Sequence, residues 1–478
     1  MIEARKANIL VYDVGSTYTK TAAFHLDGDN LQYLSNGQSP TTLEDIMIGV
    51  NEGHRQLEEK GITVDPAAKT YATCSAAGGL RMVALGYMPQ VTAKAAKEVA
   101  MTAGARVMEV ISSDEALEYR AEILHEIQPD IILLAGGTDG GDQTSVLENV
   151  ELLTRIKTKA KVIIACNIEV QAQAQFELES HGIDCVRVPN IMPMIHELNV
   201  KPAREAIHTV FIKQLTNAKG LDKLSSGLTD PKVIPTPGAV LLASELLARG
   251  TYEQEGVDGV LLIDLGGATT DVHSALQKLE ELKAEERGLI ISNDKQFSYR
   301  TVEGNLGMRV SATGIVETVG PRRIIDKLPA GAPLCELEEV WDYARKLEDD
   351  TKLLPESDKK RMLDEALACC AITVALRRHA GHFIVEPDPV MGLAAGSIVG
   401  RDLRMVEFVL AVGGIFTYAD SEERERILTA AFADPGISLL PLNPKFYYDD
   451  DYILYALGVL SQHFPDAVFS FMKRKFSI

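Results

Sequence analysis

Cysteine is too scarce and too scattered to build a disulfide framework: Cys74, Cys166, Cys185, Cys335, Cys369 and Cys370 are the six in 478 residues, and none forms a CxxC pair. They read as reduced thiols. The vicinal pair Cys369 and Cys370 sits in an apolar helical stretch, LACCAITVAL, which suits core packing better than redox or metal chemistry. HExxH and clustered His/Cys ligands are also missing, so zinc has no support. Dense basic runs are missing as well. The 48 Lys+Arg stand against 68 Asp+Glu, a net charge of -20 with a pI near 5.0, which leaves no electrostatic footprint for nucleic acid. Finally, no apolar run is long. Stretches such as Ala239 to Ala248 and Phe408 to Tyr418 fall short of the roughly 18 to 20 residues that span a bilayer. The start, MIEARKANILVYD, has no secretory apolar core or cleavage site. The expectation is a cytoplasmic protein with neither a nucleic-acid nor a membrane partner.

What the sequence does have is the balance of a globular protein: 46% hydrophobic and 24% charged residues, a mean hydropathy of +0.01, and length for two to four domains. Asn8 to Asp13 reads as a β-strand that ends in a glycine turn, and the apolar run Thr21 to Leu26 returns at once, a hairpin pattern. From about residue 116 to 200, helix and strand alternate at the spacing of parallel βαβ units. Three prolines between Gly227 and Gly238 interrupt regular structure and suggest a boundary, with domains of 1–235 and 236–478. The second half then opens on the plan of the first: Gly259 to Asp264 is a buried-type strand into a glycine turn. A mostly helical segment covers about 337–382, and another strand leads into Gly413 and Gly414. The fold class is therefore α/β in two halves.

The strongest chemical signal is a pair of strand-turns, DVGSTYTK (Asp13 to Lys20) and DLGGATTD (Asp264 to Asp271), about 250 residues apart. Each puts a carboxylate at a strand end, then glycine, then hydroxyls. Glycines such as Gly15, Gly266 and Gly267 let backbone N–H groups approach a phosphate. Ser16, Thr17, Thr269 and Thr270 supply hydroxyls and Lys20 a point charge, while Asp13 and Asp264 suit a hydrated Mg²⁺ beside the phosphates. The first loop is not a P-loop, because the glycine before the lysine is absent, and no GxGxxG follows a strand at Rossmann spacing. The turn AVGGIF, with Gly413 and Gly414, reads either as a tight strand–helix connection or as a platform for a flat ring. In LAGGTDGGD, Asp139 and Asp142 suit helix capping better than metal contact.

Two DxGxT-like loops and a late GG turn resemble the actin, sugar kinase and Hsp70 superfamily of ATPases. That resemblance implies two duplicated actin-like (ribonuclease H-like) α/β domains with ATP and Mg²⁺ in a cleft between them. A closer resemblance covers nearly the whole chain: ILVYDVGSTYTKTAAF, ATCSAAGGLRMVALG, ILLAGGTDGGD, GVLLIDLGGATTDVHS, VEGNLGMR and FVLAVGGIF are similar to the glutamate (methylaspartate) mutase accessory proteins. It implies an ATP-dependent reactivating factor for an adenosylcobalamin-dependent mutase. Carried over, Asp13 and Asp264 would hold Mg²⁺ through water, and Asp264 would orient the attacking water. Gly15, Ser16, Thr17, Lys20, Gly266, Gly267, Thr269 and Thr270 would line the phosphates, and Gly413 with Gly414 the adenosine. Glu303, Arg309 and Ser75 to Arg81 are cleft or structural residues. Rival readings are a small-molecule kinase of the same superfamily, an ATP-driven electron donor that activates a radical enzyme through an iron–sulfur cluster, and a scaffold that only binds nucleotide.

Overall fold

NILVYD becomes strand because its apolar residues are buried on both faces of a sheet, a setting that favours continuous rather than alternating hydrophobicity. In the computed structural model, residues 5–15, 18–42, 45–75, 80–86, 105–194, 199, 201–216, 221–276, 297–329, 331–387 and 394–478 are described. The chain divides into two units, Met1–Asp27 with Leu31–Ala239 and Gly28–Asn30 with Val240–Ile478.

In the first unit, β1 (Arg5–Val14) turns into the antiparallel β2 (Tyr18–Asp27), and β3 (Asn30–Pro40) follows. On the other side, β1 pairs in parallel with β4 (Ile62–Cys74), which pairs in parallel with β10 (Ile234–Pro235). In the second unit, β11 (Gly259–Leu265) turns into the antiparallel β12 (Thr270–Leu276) and then β13 (Ser298–Glu303). Its other neighbours, β16 (Phe408–Val412) and β17 (Lys445–Tyr448), are again parallel. The orders are β3-β2-β1-β4-β10 and β13-β12-β11-β16-β17, one plan used twice. This is the duplicated α/β architecture that the resemblance implied.

Each sheet packs one face on helices. Leu10, Tyr12 and Val14 share a core with Ile46, Val50 and Leu57 of the helix Ile46–Glu59. Leu261, Ile263 and Leu265 share another with the long helix Asp358–His379, which is buried almost all round. Cys369 and Cys370 lie inside that helix's core contacts, and burial pushes the Cys370 thiol up to about 12.

Between β4 and β10 a third sheet is inserted. β5 (Leu80–Gly86), β6 (Ala105–Ser112), β7 (Ile131–Leu134), β8 (Lys161–Ile164) and β9 (Cys185–Arg187) run in parallel in the order β6-β5-β7-β8-β9. Its first strand lies upstream of residue 116, where the alternation in the sequence becomes regular. A small antiparallel pair, β14 (His382–Phe383) with β15 (Ile398–Val399), completes the strands described. Among the described residues no helix is long and apolar enough to cross a membrane.

Candidate functional site

The first hairpin places Asp13 directly across from Lys20, because the β1–β2 register pairs them. Lys20 Nζ lies 3.6 Å from Asp13 Oδ2. Asp13 is only 2% exposed, and its Oδ1 accepts from Thr73 Oγ1 on β4 at 2.9 Å and from Thr236 Oγ1 at 2.6 Å. A buried carboxylate needs that full set of donors. At the turn, Gly15 N donates to Tyr18 O at 3.0 Å, and a Cβ on Gly15 would lie 2.6 Å from that oxygen, so glycine is the residue that fits. Thr41 Oγ1 donates to Gly15 O at 2.8 Å and steadies the turn from β3's end. Ser16 and Thr17 lie outside the described residues. Ser75 N donates to Val14 O at 2.9 Å, so the start of SAAGGLR abuts this turn. Residues 76–79 are outside the description, and Arg81 pairs with Asp130 at 3.3 Å within the inserted sheet.

In the second hairpin the same register sets Asp264 across from Asp271, acid opposite acid. The charge is met from the next strand: Arg300 on β13 donates through Nε to Asp271 Oδ1 at 2.8 Å and through a second guanidinium nitrogen. Thr269 Oγ1 donates to Asp271 Oδ2 at 2.9 Å. Asp264 is half-buried at the strand end. Gly266 N donates to Thr269 O at 2.9 Å, and the glycine turn is then stitched to the VEGNLGMR segment. Met308 N donates to Gly266 O at 3.0 Å, and Arg309 N and Val310 N both donate to Gly267 O at 2.8 Å. Ser311 Oγ donates to Ala268 O, and Thr270, fully buried, turns its hydroxyl to Leu306 O. Gly307 packs so closely that a Cβ there would lie 2.2 Å from the Ala268 carbonyl carbon. VEGNLGMR is thus the brace of the second turn. Glu303 pairs with Arg378, and Arg309 reaches Asp364 at 3.1 Å and the Tyr418 hydroxyl at 3.2 Å.

The third turn reaches the same sheet edge. β16 runs parallel to β11 with Val412 beside Asp264, so Gly413 follows at their shared carboxyl end. Gly413 has φ 137°, and a Cβ there would sit 2.2 Å from Leu265 O. Gly414 faces open space and starts the short helix Gly414–Tyr418. Asp264, Gly266, Gly267, Gly413 and Gly414 therefore converge at the carboxyl edge of parallel strands, where open α/β sheets bind ligands. A separate groove of about 880 Å³, lined by Lys327, Glu365, Cys369 and Arg426 among others, takes no lining residue from either hairpin.

Several participants carry no local sequence signal. Thr73, Thr236, Arg300, Asp364 and Tyr418 join the loops through tertiary contacts alone. Asp139 and Asp142 serve the inserted sheet: Ile168 N and Asn190 Nδ2 both donate to Asp139 Oδ1, at 3.0 and 2.8 Å, and Ser145 Oγ donates to Asp142. Asp139 thus takes the first N–H of the helix Ile168–Ser180, whose N-cap is Asn167, rather than an N–H of its own loop's helix.

Residues 9–476 match the family model described as MutL protein. Protein MutL of Clostridium tetanomorphum is 36% identical over 471 residues, 97% of this chain and 98% of that one. The chain belongs to the MutL family. This is the mutase accessory family whose motifs the sequence carries. Among solved structures, a glycerol dehydratase reactivase is 11% identical, covers 95% of this chain and 100% of its own, and has a TM-score of 0.32. A gluconate kinase of Lactobacillus acidophilus is 10% identical over 98% and 92%, with a TM-score of 0.34.

The donor chemistry of the MutL-family loops suits a hydrated Mg²⁺. Asp264 offers a partly buried strand-end carboxylate beside a glycine turn, the way Mg²⁺ is held when phosphates and water complete its shell. Asp13 already meets Lys20, Thr73 and Thr236 and would face the metal only by exchanging one of them for a bound water. The vicinal thiols do not suit an iron–sulfur cluster, because Cys369 and Cys370 are packed into the core of their helix and, among the described residues, no group of three or more Cys, His, Asp or Glu comes together to complete a ligand set.

Proposed function

We propose that this chain is a slow Mg²⁺-dependent ATPase that reactivates an adenosylcobalamin-dependent mutase in the cytoplasm by letting damaged corrinoid leave. The observation that carries the ATPase half is the duplication itself: Asp13 and Asp264 occupy the same position in two sheets of one plan, each followed by a glycine turn. Family membership carries the mutase half.

In this reading Lys20 and the N–H groups of the first turn bind phosphate oxygens, together with Ser16 and Thr17. Gly266, Gly267 and Thr269 do the same from the second turn, and Gly413 with Gly414 lies against the adenosine. Mg²⁺ supplies charge neutralisation at the phosphates, held through water by Asp13 and Asp264. Asp264 orients the attacking water from its partly buried position at the strand end. Because the net charge is -20, attraction for a polyanion is local, and it rests on oriented N–H groups, Lys20 and the metal.

The test is recovery of an inactivated mutase with ATP and fresh adenosylcobalamin. Wild-type chain restores turnover, whereas Asp13→Asn and Asp264→Asn do not; full recovery with both variants contradicts the reading. Release of free phosphate, rather than a phosphorylated small molecule, separates it from a kinase.

A further inference from the structure

Asp364 belongs to none of the sequence motifs, yet it joins two of the three turns. It lies in the helix Asp358–His379 and is 1% exposed. Tyr343 OH donates to its Oδ1 at 2.8 Å, and Tyr418 OH and Arg309 Nη2 donate to its Oδ2 at 2.8 and 3.1 Å. Arg309 also donates to the Tyr418 hydroxyl at 3.2 Å. The three donors come from separate places. Arg309 is bonded through its own N–H to Gly267 O, Tyr418 ends the short helix that begins at Gly414, and Tyr343 lies in the helix Leu337–Asp349. A charge taken out of water is tolerated when paired this completely. Burial, and then the Asp364 charge, raise both phenols, so both remain donors. Burial opposes the Arg309 cation, and the Asp364 carboxylate and the Tyr418 hydroxyl together outweigh it and hold its pKa above the usual arginine range. The planar arginine fork can engage acid and phenol together.

We propose that Asp364 is a positioning residue that fixes the distance between the Gly266–Gly267 turn and the Gly413–Gly414 turn, and so favours a ligand long enough to touch both, a nucleoside polyphosphate. This rests on the reading of those turns as phosphate and adenosine loops. A ligand that touches one turn alone gains nothing from the strut. Inorganic tripolyphosphate and free adenosine are the two such ligands to compare with ATP.

The experiment is calorimetric binding of MgATP, tripolyphosphate with Mg²⁺, and adenosine to the full chain. Asp364→Ala would leave three buried donors unmatched and endanger folding, so Tyr418→Phe and Arg309→Lys are the working variants, with Lys20→Met as the control that loses nucleotide affinity. Tyr418→Phe removes one hydroxyl and is expected to weaken MgATP about tenfold, and Arg309→Lys, which loses the fork, by more. Both variants should bind the two short ligands within twofold of wild type. Unchanged MgATP affinity in both variants while Lys20→Met loses affinity overturns the inference, and so does an equal loss of all three ligands, which marks plain structural support. Wild-type chain that binds none of the ligands instead overturns the nucleotide reading itself.

Discussion

The two hairpins stand at the same place in two copies of one sheet, and they solve the problem of a strand-end carboxylate in opposite ways. In the first, the residue across the ladder is Lys20, and two hydroxyls complete the shell of Asp13, so the acid is buried and neutralised on the spot. In the second, the residue across the ladder is Asp271, and neutralisation comes from a third strand through Arg300. Asp271 is buried, and Asp264 keeps partial exposure. Duplication preserved the geometry and let the chemistry diverge: one turn brings a fixed cation, the other a pair of acids, one buried and one partly buried.

The sharpest way to break this comparison is to remove each cation. Arg300→Met strands Asp271 in the interior and is expected to cost about 3 to 5 kcal/mol, the scale for one lost partner of a buried pair. Lys20→Met leaves Asp13 with Thr73 and Thr236 and should cost roughly 1 to 3 kcal/mol. Denaturant titration of both variants ranks them, and a larger loss for Lys20→Met would invert the comparison.

The glycine turns differ next. Gly15→Ala forces a Cβ to 2.6 Å from Tyr18 O, while the matching contact for Gly266→Ala is 3.1 Å, to Thr269 O. We expect about 1 to 3 kcal/mol for the first, in the range of overpacking, and under about 1 kcal/mol for the second. Melting temperatures of the two variants check the order.

The last contrast concerns pH. The second sheet carries His273, held well below its usual pKa by burial and then by Arg300, and His379, held down by burial, then Arg401 and His273. Both stay neutral in the fold, and both take up a proton in the unfolded chain below about 6.5. Folding stability is therefore unaffected above that pH and falls as pH drops below it, by about 1.4 kcal/mol per pH unit for each histidine. Chemical denaturation at pH 7.5 and 5.5 should show this slope flatten in His273→Phe.

Much of this was legible in the sequence, for a physical reason. Glycine turns after apolar runs are local features, so both hairpins and the GG turn stand out where the backbone needs them. The sheet order and the start of the inserted sheet at Leu80 are not local: SAAGGLR reads as a turn and helix start until β5 pairs with β6 and β7. The proline-rich stretch before Gly238 reads as a boundary, yet its Thr236 opens a helix and reaches Asp13 across 223 positions. Arg300 and Asp364 were silent because an arginine in a strand and an aspartate in a helix announce nothing until their partners arrive.

Single-turnover hydrolysis of MgATP by Asp264→Asn, with binding measured in parallel, tests the division of labour most directly. MgATP is expected to stay bound, with phosphate release slowed by about 10²- to 10³-fold, the usual scale for one catalytic polar group. Lys20→Met should instead lose affinity. Wild-type hydrolysis by Asp264→Asn would contradict the central claim.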